Sequence, residues 1–198
     1  MHMNRISQLG DQILQIQTDL GLSNPKNLNP GMTDKELAAS PLFADIPFAS
    51  ELHSLFGWRN GCVPNVPMRQ LWFVPGHCLT SAQDAAQSNH YQTNNIPGWR
   101  ATWFPLMESG SSDFYFFDKA KITNGQFPVF YSDPEFSTGL WQIYDDLESM
   151  FSTILECYAE GAYFVEAGGF LRSDARRETN ISKRLNPKSD HWQRKDLY

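Results

Sequence analysis

Four consecutive aromatic residues, Phe114-Tyr115-Phe116-Phe117, constrain this chain more than any other stretch. Side chains alternate between the two faces of an extended backbone, so rings stand on both faces of this segment. A strand with one solvated face has no place for them, which predicts a central strand with an apolar layer on each side. Similar runs lie at Ala101 to Met107 and Phe127 to Tyr131, the first set off by Ser109-Gly110-Ser111-Ser112 and the second by Asn124-Gly125. Asn-Gly between aromatic runs marks a tight hairpin turn, because both central positions of a type I′ turn need positive φ. Pro128 has no N–H for a ladder, so its strand is expected at an edge or bulged there. Leu71-Trp72-Phe73-Val74, ended by Pro75-Gly76, reads as a further buried strand.

Helical periodicity surrounds these runs. Ile6, Leu9, Ile13, Ile16 and Leu20 share one stripe, with Gly21 as the stop. Thr33-Asp34-Lys35-Glu36 is a capping box, spanned by Met32 and Leu37 as a hydrophobic staple. A helix is expected from near Pro47, where Phe48, Leu52, Leu55 and Phe56 share a face before Asn60-Gly61 interrupts it. Leu79 to Asn89 predicts a short helix capped by Thr80 or Ser81. The strongest pattern is Leu147, Met150, Phe151, Ile154, Leu155 and Tyr158, with Asp145 and Asp146 suited to its N-terminus and Gly161 to its end.

Charge divides the chain unevenly. Sixteen Lys and Arg against 22 Asp and Glu give a net charge of −6. Residues 171–198 hold eight Lys or Arg and four Asp or Glu, a balance of +4, which leaves residues 1–170 at −10. The excess of acid excludes a bulk nucleic-acid binder, which needs Lys and Arg for the phosphate backbone. The basic segment contains Leu171, Ile181, Leu185 and Trp192, with Asp174 to Leu185 compatible with a helix and Asn186-Pro187 as its stop. Its two readings are a helix docked on the acidic body and a loose basic tail, and the apolar positions favour docking. Three parts follow: an N-terminal amphipathic helix and linker over 1–30, a domain over 31–170 and the basic segment over 171–198.

Chemistry-bearing motifs are sparse. Cys62, Cys78 and Cys157 are odd in number and make no C-x-x-C spacing, so reduced thiols are expected. The five histidines form no H-x-x-x-H pair, so no metal site is predicted. His77-Cys78 places an imidazole beside a thiol, but adjacent residues on extended backbone point apart. There is no G-x-S-x-G elbow and no phosphate-binding glycine loop. No run reaches the length of a membrane span and no signal peptide is evident, which predicts a cytoplasmic protein with no membrane partner. Asp113, Asp118, Asp133 and Glu135 fall at strand ends, where a hydrolase holds its acid and base and where solvated carboxylates also collect.

Two stretches resemble the SUKH superfamily, which includes Smi/Knr-type fungal cell-wall regulators and many bacterial immunity proteins. The first runs from Ile46-Pro47 through Leu52 and Leu55-Phe56 to Trp58-Arg59-Asn60-Gly61. The second holds Trp103-Phe104-Pro105-Leu106, the serine-glycine turn to Asp113, the strand to Asp118, Gly125-Gln126, Trp141 and the helix from Leu147 to Tyr158. With Asn186-Pro187, the resemblance spans about residues 33–164 in the family's order. It implies a single α+β domain with a curved, mostly antiparallel sheet flanked by helices, no cofactor and no enzymatic activity. Pro47, Asn60, Gly61, Trp103, Asp118 and Gly125 would then be fold motifs.

The function this resemblance implies is binding to a protein partner, foremost a cognate toxin, such as a basic nuclease domain, held by direct contact. An acidic body complements such a partner and speeds encounter with it. Asp113, Asp133, Glu135 and Asp145 are the candidate steering residues, and Trp99 and Trp141 the candidate anchors, although burial of both rings is the commoner fate of tryptophan. A Smi/Knr-like regulatory or scaffold module without a toxin is the alternative, and a hydrolase built on strand-end carboxylates is a remote one.

Overall fold

The structure is a computed structural model and describes residues 5–44, 46, 50–111, 113–132 and 141–194. Pro47, Asp133 and Glu135 lie outside the described residues. It is an α+β arrangement with antiparallel strand pairing throughout the described sheets. Helices α1 (Arg5–Asp19), α2 (Asp34–Ala39) and α3 (Glu51–Trp58) come first; the short strand β1 (Leu28–Pro30), between α1 and α2, pairs with β2 (Arg59–Cys62), which follows α3. The main sheet takes β3 (Cys78–Leu79), β4 (Trp103–Glu108), β5 (Phe114–Asp118), β6 (Val129–Ser132) and β7 (Trp141–Tyr144) in that order, with α4 (Ala82–Asn95) between its first two strands. Then follow α5 (Leu147–Ala159), the hairpin of β8 (Tyr163–Val165) and β9 (Leu171–Ser173), α6 (Ala175–Leu185) and α7 (Asp190–Gln193).

The aromatic strand β5 is the middle of the five, covered on both faces. Phe117 joins the main core with Phe73, Phe127 and Phe151, all fully buried, beneath α1, α3 and α5. Phe116 faces the other way, into a smaller cluster with Trp103, Phe130 and Trp99. Loop residues and cation–π contacts cover that second layer, with Arg100 over Trp103 at 5.4 Å and Lys121 over Phe130 at 4.4 Å.

Local signals account for most element ends. The Thr33 and Glu36 side chains each bond the other's backbone N–H, which completes the capping box and lets α2 begin. Ser50, Ser81 and Asp146 cap α3, α4 and α5, each side chain accepting the backbone N–H three residues on. Asn124 and Gly125 have φ of 53° and 79°, the double positive φ that the tight turn requires, and Thr123 and Gln126 bridge across it.

One strand expectation changes, and another resolves to one of its two alternatives. Residues 71–74 are not a ladder strand: Leu71, Phe73 and Val74 are buried, but the segment pairs only through an isolated bridge from Val74 to His77. The Pro75-Gly76 turn reverses the chain at once, and the Phe73 carbonyl is taken by Gln17 Nε2 and the Tyr158 hydroxyl, both at 2.9 Å. Pro128 immediately precedes β6, which is an interior strand, and the pairing with β7 shifts register between Val129 and Phe130. The bulge, and not an edge position, accommodates the missing donor.

Candidate functional site

Asp113 ends the serine-glycine turn between β4 and β5, and the turn folds its own hydroxyls back onto the carboxylate. Ser109 and Ser111 both donate to Oδ1, while the Tyr131 hydroxyl, from β6, donates to Oδ2 at 3.2 Å. His77, just before β3, brings Nε2 to 2.9 Å from the same Oδ2. The approach is off the line of the ring N–H, so it is a close polar contact and not an aligned hydrogen bond. The imidazole is edge-on to Tyr115 at 4.7 Å and to Tyr131 at 6.0 Å.

Burial pushes the His77 pKa down and outweighs the opposing pull of Asp113. For Asp113, burial works against ionisation, but the Ser109 and Ser111 hydroxyls together with His77 prevail and hold the carboxyl below its usual range. A histidine oriented by an aspartate is half of a nucleophile-activating triad. Here the serines bond the carboxylate and not the imidazole, and His77 Nδ1 faces the Pro75 carbonyl at 3.4 Å. Each ring nitrogen stands beside an acceptor of this chain, Asp113 Oδ2 or the Pro75 carbonyl, so both sides of the imidazole are taken up inside the cluster. Its chemistry is that of a polar clamp between β3, the β4–β5 turn and β6.

The other expected site residues are also engaged within the chain. Asp145 accepts the Lys188 backbone N–H at 3.1 Å, and its own N–H donates to Asn186 Oδ1 at 3.2 Å. Burial pushes its pKa up, and the contacts with Lys188 partly offset this. Trp99 sits 5.5 Å from both Trp103 and Phe116, and Trp141 packs on His191 at 5.2 Å with Arg194 over its ring. Asp118 is buried and receives the Trp103 indole N–H at 3.1 Å and the Ala120 N–H at 2.9 Å. Asn60 Oδ1 accepts the Ala82 N–H at 2.8 Å, and a Cβ on Gly61, with φ of 70°, would stand 2.4 Å from the Ser81 nitrogen. The Gly125 carbonyl accepts from Glu51 N–H at 3.0 Å.

The surface with the composition of an interface is the outer side of α4. Its inner side is fastened by Asn89, whose amide donates to the Trp103 carbonyl at 2.6 Å and the Ala101 carbonyl at 3.2 Å. Asp84 is the one charged residue in the helix. Outward stand Gln87, His90, Tyr91, Asn94 and Asn95, followed by Ile96. Tyr91 is 61% exposed and Ile96 45%, two of the few large apolar side chains that face solvent. Low charge around an exposed tyrosine is the pattern of an interface centre. In the sequence this stretch marks only a short helix; the signal for an interface is its run of Gln, Asn, His and Tyr without Lys or Arg.

Sequence separation also concealed a thiol pair, since Cys62 and Cys78 line one cleft. Among the described residues, no group of three His, Cys, Asp or Glu side chains is placed to hold a metal ion, and no helix is long and apolar enough to cross a membrane. No protein-family model matches the chain, and no curated protein is significantly similar to it.

Proposed function

We propose that this chain is a non-enzymatic, SUKH-type protein-binding domain that neutralises a basic toxin by covering it, with the outer side of α4 as the contact surface. The observation that carries the reading is the exposed Tyr91 and Ile96 on a helix face nearly free of charge, on a body whose first 170 residues carry −10. Tyrosine supplies contact area at low entropic cost, and the acid of the body draws a basic partner in from a distance. The acidic groups that steer are Asp84 beside the patch and the exposed carboxylates of α1 and α2. Asp113 and Asp145 are held by their own chain and act as structure.

Capture of partners from native cells, followed by co-expression with each basic partner found, tests the reading. Restored growth of cells carrying a toxic partner is the expected result. A partner that is harmless when expressed alone overturns the toxin. Tyr91→Glu should weaken binding at least about tenfold, equivalent to about 1.4 kcal/mol, while leaving the thermal midpoint unchanged. Full affinity in that variant would move the interface elsewhere.

A further inference from the structure

β2 and β3 belong to different sheets but lie side by side, and they bring Cys62 and Cys78 to one open cleft of about 480 Å³. Cys78 Sγ is 3.3 Å from Met68 Sδ and 3.6 Å from the Glu108 carbonyl, and Cys62 Sγ is 3.8 Å from the Leu71 carbonyl. Both thiols face the same cleft, and each acts electrostatically on the other, as the Leu79 backbone N–H does on Cys62. Their positions are unequal, because Cys62 is half-buried at the cleft and Cys78 is buried behind it.

The same inequality extends to acidity. The neighbouring Cys78 thiol, aided by the Leu79 N–H, lowers the Cys62 pKa against the effect of its partial burial. The Cys62 neighbour and burial both push the Cys78 thiol up, and burial does the same to Cys157. An accessible thiol of lowered pKa in front of a second, less acidic thiol is the arrangement of an oxidisable pair.

We propose that Cys62 and Cys78 form a reactive dithiol that hydroperoxides oxidise to an intramolecular disulfide, with Cys62 as nucleophile and Cys78 as resolving thiol. The Cys62 thiolate attacks the terminal peroxide oxygen. The O–O bond breaks, Cys62 becomes a sulfenic acid, and the leaving alkoxide or hydroxide takes up a proton. Cys78 sulfur then attacks Cys62 sulfur, the S–O bond breaks, and water leaves with the Cys78 proton. Two thiols and one hydroperoxide thus yield a disulfide, an alcohol or water, and a further water. A dithiol such as dithiothreitol reverses the change by exchange.

The full chain, reduced and then treated with stoichiometric hydrogen peroxide, should lose the mass of two hydrogens and yield one linked peptide pair holding Cys62 and Cys78. Iodoacetamide at neutral pH should label Cys62 at least about tenfold faster than Cys157 in the untreated protein. In Cys78→Ser, peroxide should leave a sulfenic acid on Cys62 that dimedone traps. Peroxide that takes Cys62 to the sulfinic acid with no linked peptide, or links two chains instead, overturns the proposal. Equal labelling of Cys62 and Cys157 overturns it too, and this arm needs no variant to fold.

Discussion

Gly10 and Gly57 are both helical glycines, yet opposite outcomes follow from replacing them. A Cβ at Gly10 would stand 2.4 Å from Cζ2 of Trp58. That indole cannot retreat, since it is 5% exposed, bonded to Asp11 at 2.8 Å, and packed on Phe73 and Phe151. At Gly57 the nearest atom is 3.8 Å away. Alanine improves helix propensity by about 1 kcal/mol, whereas overpacking costs about 1–3 kcal/mol. Gly10→Ala should therefore lose up to about 2 kcal/mol in urea unfolding, and Gly57→Ala should gain about 0.5–1 kcal/mol. Glu51 sets a pH dependence of its own. Its carboxylate accepts the Leu147 and Glu148 N–H groups at the start of α5 and the Phe127 N–H. Burial and then Asp146 outweigh these bonds and raise its pKa to about 7. The folded state thus holds this proton more tightly than the unfolded chain. Its contribution to stability is complete below the unfolded value of 4.5 and is lost as pH rises through about 7. The stability of the native protein minus that of Glu51→Gln should fall by about 3 kcal/mol over that window, read from denaturation at a series of pH values. A flat difference would mean that Glu51 has an ordinary pKa.

At the scale of elements, short-range signals act where partners are near in sequence. The α2 capping box joins residues three apart, and Thr33→Ala removes a bond from its first turn, at a cost of about 1 kcal/mol in chemical denaturation. The apolar stripe of α5 and the tight turn at Asn124-Gly125 were readable for the same reason: a period or a φ requirement is written into adjacent residues. Residues 71–74 show where that reasoning stops. Their composition favours a strand, but a carbonyl that would join a ladder instead meets Gln17 from α1 and Tyr158 from α5. Propensity reports burial correctly there and pairing incorrectly, because pairing depends on which segment arrives.

Over the whole molecule, the described part of the basic C-terminal segment, residues 171–194, contacts the acidic body. Arg184 bonds Glu156 at 3.1 Å and Glu160 at 2.7 Å on α5, while Trp192 reaches the Ile143 carbonyl at 2.5 Å. Asn186 is the tie, fully buried, donating to Thr153 Oγ1 at 2.9 Å and accepting from the Asp145 N–H. Exposed ion pairs contribute little, whereas buried polar groups left unpaired cost about 1–3 kcal/mol. Asn186→Ala should accordingly destabilise the protein by about 2–3 kcal/mol and expose the segment to limited proteolysis, whereas Arg184→Ala, at an exposed ion pair, should leave the denaturation midpoint nearly unchanged. The sequence by itself determined the mix of helices and strands, the twice-covered aromatic strand and most helices with their caps, because these arise from periodic burial and from contacts within a few residues. The tertiary structure alone decided that Asp113 would meet His77 and Tyr131, that Glu51 would occupy the start of α5, and that Cys62 and Cys78 would line one cleft. A buried polar group must find its partner within about 3 Å, and only the path of the whole chain decides which distant residue is there.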